Sequence, residues 1–192
     1  MRIITGTLKG RRLVAPPGQS VRPTSDRLRE TLFNVLGDSI VGARVLDAFA
    51  GTGAIGIEAL SRGAVHATFV ESDPRVIRVL SENVRACGVA DACAIIRADF
   101  LRLRRSAGHF ELTLLDPPYD IDDLAAVLDV AAATVAPNGR LVLEHSRRRA
   151  SPEAAGPLSR TRVLVAGDSA LSFYTATSEV VHTRDLRGPA EP

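Results

Sequence analysis

Hydrophobic and polar positions fall into three regimes along the chain. Over Arg2 to Val14, β-branched residues surround Lys9-Gly10 with basic side chains on one face, which predicts a hairpin that Pro16-Pro17-Gly18 ends. Pro23-Thr24-Ser25-Asp26 then offers a helix cap, and Leu28, Leu32, Phe33, Val35 and Leu36 follow along one helical stripe until Gly37. From Arg44 onward, short apolar runs alternate with helical segments, the pattern of parallel βαβ units. The runs predict strands over 44–48, 67–71, 93–97, 111–115 and 140–144. Helices are predicted between them over 54–62, 74–86 and 121–134, the last broken by Pro137-Asn138-Gly139. Arg162 to Val165 and Leu171 to Thr177, either side of Ala166-Gly167-Asp168-Ser169, predict an antiparallel hairpin that closes the sheet. The expectation is an α/β fold with a mostly parallel seven-stranded sheet. Residues 1–37 form an N-terminal extension, 38–182 the main domain and 183–192 a disordered tail.

Composition changes this picture little. The 192 residues are 45% hydrophobic and 24% charged, as in an ordinary globular domain, and no apolar stretch is long enough for a signal peptide or a membrane span. Two cysteines, Cys87 and Cys93, lack metal or redox spacing and read as buried thiols, and four scattered histidines indicate no metal site. A reducing cytoplasm is the expected compartment.

Charge distribution matters more than its total. Residues 1–29 hold seven basic side chains against Asp26 alone, a net of +6 that leaves −4 for the rest of a chain whose net charge is +2. A basic arm on a mildly acidic body predicts a polyanion partner for the arm and a non-anionic ligand for the body.

A ligand site is predicted where Asp47-Ala48-Phe49-Ala50-Gly51-Thr52-Gly53-Ala54-Ile55-Gly56 leaves the first strand and opens a helix, because glycines there let a ligand approach the backbone. Gly51, Gly53 and Gly56 with Glu71 twenty residues on also satisfy a dinucleotide-binding spacing, so spacing alone does not choose. Charge favours another ligand. An acid beside the loop, as Asp47 is, would repel a pyrophosphate and attract S-adenosylmethionine, which carries a sulfonium and an ammonium. Glu71 can accept both ribose hydroxyls, and Asp99 is placed to accept from an adenine amino group.

The run Phe110-Glu111-Leu112-Thr113-Leu114-Leu115 then delivers Asp116-Pro117-Pro118-Tyr119 to the same crevice. Two prolines contribute no N–H donor and stiffen a platform of carbonyl acceptors. Methylating an aromatic amine requires its delocalised lone pair to be freed. Asp116 could take one amino hydrogen and the Pro117 carbonyl the other, while Tyr119 stacks on an extruded base. The tetrapeptide does not identify the base, so DNA adenine-N6 methylation stays open beside an RNA target. A non-catalytic assembly factor and a nicotinamide oxidoreductase are the readings from other classes.

With these motifs in place, the chain resembles the RsmD-type family of bacterial 16S rRNA guanine-N2 methyltransferases over nearly its whole length. The match includes Arg2-Ile3-Ile4-Thr5-Gly6, Gly10-Arg11-Arg12-Leu13, the block from Arg22-Pro23-Thr24 to Phe33-Asn34, the glycine loop and Asp116-Pro117-Pro118-Tyr119. The resemblance implies a Rossmann-like class I methyltransferase fold and one small-subunit rRNA guanine methylated on an assembled or assembling 30S particle; the expected state of the chain is a cytoplasmic monomer. By position, it implies a cofactor site of Asp47, Phe49, Ala50, Gly51, Gly53, Glu71, Ser72, Asp99, Phe100 and Asp116. Catalysis would fall to Asp116, Pro117, Pro118 and Tyr119, and RNA binding to Arg2, Lys9, Arg11, Arg12, Arg22, Thr24, Arg27 and Arg29. Arg102, Arg104 and Arg105, and Arg147, Arg148 and Arg149, could extend the basic rim.

Overall fold

The computed structural model describes residues 1–16, 26–103 and 109–176. Helix α1 (Asp26–Leu36) buries the predicted stripe through Leu28, Leu32, Phe33 and Leu36. There follow β1 (Arg44–Ala48), α2 (Ala54–Ser61), β2 (His66–Glu71), α3 (Pro74–Cys87), β3 (Cys93–Arg97), β4 (Phe110–Leu115), α4 (Leu124–Ala132), β5 (Val135–Ser146), β6 (Ala154–Ala155), β7 (Leu158–Ala166) and β8 (Ser169–Ala176). Local chemistry sets the helix ends. Asp73 caps α3 by accepting from the Arg75 N–H, Pro74 occupies its first turn, and Gly88 ends it in the left-handed conformation.

The sheet runs β3-β2-β1-β4-β5-β8-β7-β6. Strands β1 to β5 are parallel, and β8, β7 and β6 complete the sheet with antiparallel pairings. Because β1 lies between β2 and β4, the connections leave it in opposite directions, and a crevice opens at the carboxyl ends of the strands. Side chains alternate between faces: Leu46 and Ala48 pack in the cluster with α4, whereas Val45 packs with α1 and α2. Parallel strands covered on both sides read as continuous apolar runs, which is why the sequence pattern located them.

Two expectations need correction. The sheet has eight strands, since the two-residue β6 adds an edge to β7. Strand β5 begins at Val135 and carries Pro137-Asn138-Gly139 through a register shift against β4, with Asn138 at φ 63°. A proline at a bulge does not end a strand, so α4 stops at Ala132 and the sheet resumes three residues later.

The predicted N-terminal hairpin is present: Arg2 and Arg12 form an antiparallel bridge, and across it the Ile3 N–H donates to the Arg11 carbonyl at 2.9 Å, the Gly10 N–H to the Ile3 carbonyl at 2.9 Å and the Leu13 N–H to the Met1 carbonyl at 3.1 Å. Other backbone donors of this segment tie it to the main domain. The N–H groups of Ile4 and Thr5 donate to the two carboxylate oxygens of Glu58 at 2.7 and 3.0 Å, and the Leu8 N–H donates to Ser61 Oγ at 3.0 Å. Gly6, at φ 87°, lies so close to α2 that a Cβ there would fall 1.8 Å from the Ser61 carbonyl oxygen. Further along, Asn83 on α3 accepts from the Val14 N–H and donates to the carbonyls of Val14 and Thr52. The first fourteen residues are therefore strapped across α2 and α3. The predicted tail, 183–192, lies outside the described residues.

Candidate active site

At the carboxyl ends of the parallel strands lies a cleft of about 1040 Å³. That is the upper end of what one small ligand occupies, and it leaves room for a cofactor together with a base. Its floor is the glycine loop. Phe49 turns the chain at φ 61°, an unusual conformation for a residue with a side chain, and Gly51 and Gly53 follow at φ 54° and 80°. Gly53 has a second requirement, because a Cβ there would sit 2.3 Å from Leu80 Cδ1. The loop is latched to its neighbour strand by the Ala50 N–H, which donates to the Val70 carbonyl at 2.9 Å.

Glu71, at the end of β2, is fixed by backbone donors on both oxygens. Oε2 accepts from the Gly51 N–H at 3.0 Å, and Oε1 accepts from the N–H groups of Ser72 and Asp73 at 2.7 and 2.9 Å. Past β3, Asp99 caps a short turn by accepting from the Leu101 N–H and pairs with Arg102 at 3.5 Å. Phe100 beside it is buried, and its ring lies 5.2 Å from that of Phe49 at 56°. Together the two rings make an apolar wall between the glycine loop and the third strand.

Asp47 is not where its strand-end position suggested. Its side chain is buried beneath the loop, where Oδ2 accepts from the Gly56 N–H at 2.8 Å, and it does not line the cleft. Burial pushes its carboxyl well above the usual carboxylate range, and the nearby Asp116 and Glu71 add to the rise. Asp47 therefore shapes the turn from below. The cleft's acidic character comes instead from Glu71, Asp73, Asp99, Asp116, Glu144 and Asp168, with Arg27 the one basic side chain among its described lining residues.

The tetrapeptide after β4 reaches this cleft with all four residues. Asp116 is half-buried, Pro117 is buried, and Pro118 and Tyr119 are exposed. The Pro118 carbonyl accepts from the Ile121 N–H at 3.0 Å, which closes a rigid turn. The Tyr119 hydroxyl donates to Glu144 Oε1 at 3.2 Å and lies 2.6 Å from Ser169 Oγ, so the ring is held at the cleft edge. Burial raises the phenol's pKa and keeps it protonated. Sequence reasoning missed Glu144 and Ser169. Glu144 carried the signal used elsewhere, an acid ending the apolar run Leu141-Val142-Leu143, whereas a serine opening the last strand carried none.

The basic arm divides. Arg2, Lys9, Arg11 and Arg12 expose their side chains on the strapped segment, and Arg27 on α1 reaches the cleft. Arg29, expected among the RNA ligands, is fully buried. Its Nη2 donates to the Arg2 carbonyl at 2.8 Å and to Asp26 at 2.7 Å, and burial pulls its pKa down. It is a strut between α1 and the N-terminal segment, out of reach of a phosphate. Arg22, Thr24, Arg104 and Arg105 lie outside the described residues. Arg147 stands 3.9 Å from Asp168, and Arg149 donates to the carbonyls of Ile121 and Asp122, so of that trio Arg148 is the most outward.

Among the described residues no helix is long and apolar enough to cross a membrane, and Cys87 and Cys93 are unbridged, with burial pushing the Cys93 thiol up to about 11.

Comparison with known proteins finds relatives named as methyltransferases. The chain is 34% identical over 176 residues to the Escherichia coli K12 protein named ribosomal RNA small subunit methyltransferase D, covering 91% of this chain and 89% of that one. A Haemophilus influenzae protein of the same name is 42% identical over 123 residues, 62% of this chain and 64% of that one. Among solved structures, the Escherichia coli protein yhhF superposes with a TM-score of 0.80 at 34% identity, covering 93% of this chain and 99% of that one. A Thermus thermophilus protein described as hypothetical gives 0.77 at 34% identity, covering 90% and 98%. The fold is that of the class I methyltransferases. A family model described as conserved hypothetical protein 95 matches residues 1–175, and the chain belongs to this family, that of the RsmD-type small-subunit rRNA methyltransferases.

Proposed function

We propose that this protein transfers a methyl group from S-adenosylmethionine to the exocyclic N2 of one guanine in small-subunit rRNA, within an assembled or assembling 30S particle. One observation carries the reading: Asp116, with its proline platform, faces the same cleft as the glycine loop and the anchored Glu71. A carboxylate on the opposite side of the sheet would have no amine to serve.

The residues present fit the cofactor. Glu71 offers a carboxylate whose orientation three N–H groups fix before any ribose arrives, and Phe49 and Phe100 offer an apolar wall for an adenine ring. Asp99 stands beside that wall to accept from the adenine amino group. Six carboxylates against one guanidinium favour a cationic ligand over a pyrophosphate, which supports the methyl donor over a nicotinamide dinucleotide. Bound there, S-adenosylmethionine supplies an electrophilic methyl, its sulfur keeping the bonding pair while the amino nitrogen forms the new bond and gives up one proton.

The protein's part is orientation and charge. Asp116 and the Pro117 carbonyl accept from the two amino hydrogens, turn the nitrogen lone pair out of the ring and stabilise positive charge developing on nitrogen; the carboxylate then passes the released proton to water. Tyr119, pinned through its hydroxyl, presents a face against which an extruded base stacks. Arg2, Lys9, Arg11, Arg12 and Arg27, all exposed, would supply the phosphate contacts.

Methyl transfer from labelled cofactor to undermethylated small subunits, run beside naked rRNA, tests the proposal. Asp116→Ala should lower the rate by about 10²–10³-fold while particle binding persists. Full turnover by that variant refutes the assignment, and unmethylated subunits with the unmodified protein refute the function.

A further inference from the structure

An Asp-Pro-Pro-Tyr platform serves the amino group of adenine, cytosine or guanine alike, so something else in the cleft must choose the base. Glu144 is placed to do so. In the parallel pairing of β4 with β5, the last β4 residue, Leu115, is level with Leu143, so Asp116 leaves the end of β4 next to the position of Glu144 on β5. Both line the cleft. Glu144 is only 6% exposed, and its Oε1 accepts from the Tyr119 hydroxyl, which also lies 2.6 Å from Ser169 Oγ. Its carboxylate is therefore tied to the ring against which the base would stack.

The chemistry of the bases makes that neighbour selective. Guanine's pairing edge carries the N2 amino group and, next to it on the ring, an N1–H, so both positions donate. Adenine and cytosine carry an amino group next to a ring nitrogen that accepts. An ionised carboxylate only accepts, through about four lone-pair positions on its two oxygens. With the amino group held at Asp116 and the N1 edge turned toward β5, guanine meets the Glu144 carboxylate with a donor, whereas adenine or cytosine would set a lone pair against the lone pairs of a carboxylate oxygen.

We propose that Glu144 is the base-selecting residue of this cleft, its carboxylate accepting the N1–H of guanine while Asp116 holds the adjacent amino group. The proposal rests on the functional reading above and deepens it, because it explains how a tetrapeptide indifferent to the base is made specific for guanine.

The test uses small subunits reconstituted with 16S rRNA in which the target guanine is replaced by 2-aminopurine. That base keeps the 2-amino group but has a bare acceptor at N1. The unmodified protein should methylate guanine about 100-fold faster than 2-aminopurine in kcat/KM, since a site built to receive a donor rejects the analogue that lacks it. Glu144→Gln, whose amide can both accept and donate, should lose about 10- to 100-fold on guanine and bring the two bases to within about 5-fold of each other. S-adenosylmethionine affinity and thermal midpoint of the variant report whether fold and cofactor site are intact. If Glu144 only anchors Tyr119, the variant slows both bases equally and the ratio stays put, which overturns the proposal. Equal use of both bases by the unmodified protein also overturns it while leaving the functional reading standing. Absence of methylation on the guanine substrate, by contrast, is a failure of that reading.

Discussion

Replacing Glu71 by glutamine changes one oxygen for an NH₂ in a corner where three backbone donors converge. If the amide oxygen stays with the N–H groups of Ser72 and Asp73, the new NH₂ faces the Gly51 N–H, which now approaches a carboxylate oxygen at 3.0 Å. If the amide flips, two donors are opposed in place of one. Either way the glycine loop must shift, and the ribose loses a charged acceptor. One unsatisfied donor and one weakened charged hydrogen bond amount to roughly 2–3 kcal/mol together. At about 1.4 kcal/mol per tenfold, S-adenosylmethionine should bind about 30- to 150-fold more weakly. Titration calorimetry measures this directly, and the demethylated product S-adenosylhomocysteine supplies the control. It has the same ribose and no sulfonium, so it should lose affinity by the same factor. A variant within threefold of the unmodified protein would refute the role given to Glu71, and a loss confined to the charged cofactor would show that Glu71 acts as a distant negative charge.

Three further outcomes are expected. Glu58→Ala removes the acceptor of the Ile4 and Thr5 N–H groups and of Arg62 Nε at 2.8 Å; breaking this buried pair costs about 3–5 kcal/mol and should lower the thermal midpoint by roughly 6–20 °C. Melting within 2 °C of the unmodified protein would count against the strap. Replacing Arg11 and Arg12 together by alanine should reduce the slope of log affinity for small subunits against log salt by about 1.5, if both contact phosphates, and an unchanged slope would return them to the solvated surface. His145 is buried between the Ser146 carbonyl and Ser172 Oγ, and desolvation holds its pKa below the ordinary 6.5. The unfolded chain then binds the extra proton first, so stability should fall as pH drops through 6.5 toward the lower folded value, and His145→Gln should flatten that fall in a melting series.

What was legible in the sequence follows from where each residue finds its partner. Strands buried on both faces declare themselves as apolar runs, and the acids at 71, 99 and 116 end up around one cleft because every parallel strand delivers its end to the same edge. Residues whose partners are backbone groups far away along the chain gave no such signal. Glu58 serves N–H groups 54 and 53 residues distant, and Asn83 serves Val14 from 69 residues away. Arg29 looked like its exposed neighbour Arg27 because helical spacing shows which side of α1 faces inward, not that an inward arginine finds a carbonyl and a carboxylate to hold it. Asp47 does lie at its strand end, but nothing in its sequence neighbourhood signals that the loop folds over it.

The last described strand in the chain, β8, is not at the border of the sheet but sixth in it, hydrogen-bonded to β5 on one side and β7 on the other. During synthesis, β5 therefore emerges with one flank bare and must wait some twenty residues for its permanent neighbour. An apolar strand with open hydrogen-bonding groups is a template for pairing with other chains. The interval between the making of β5 and the arrival of β8 is thus when this protein most needs shelter from aggregation, and a ribosome stalled within that interval leaves a chain that cannot close its own sheet.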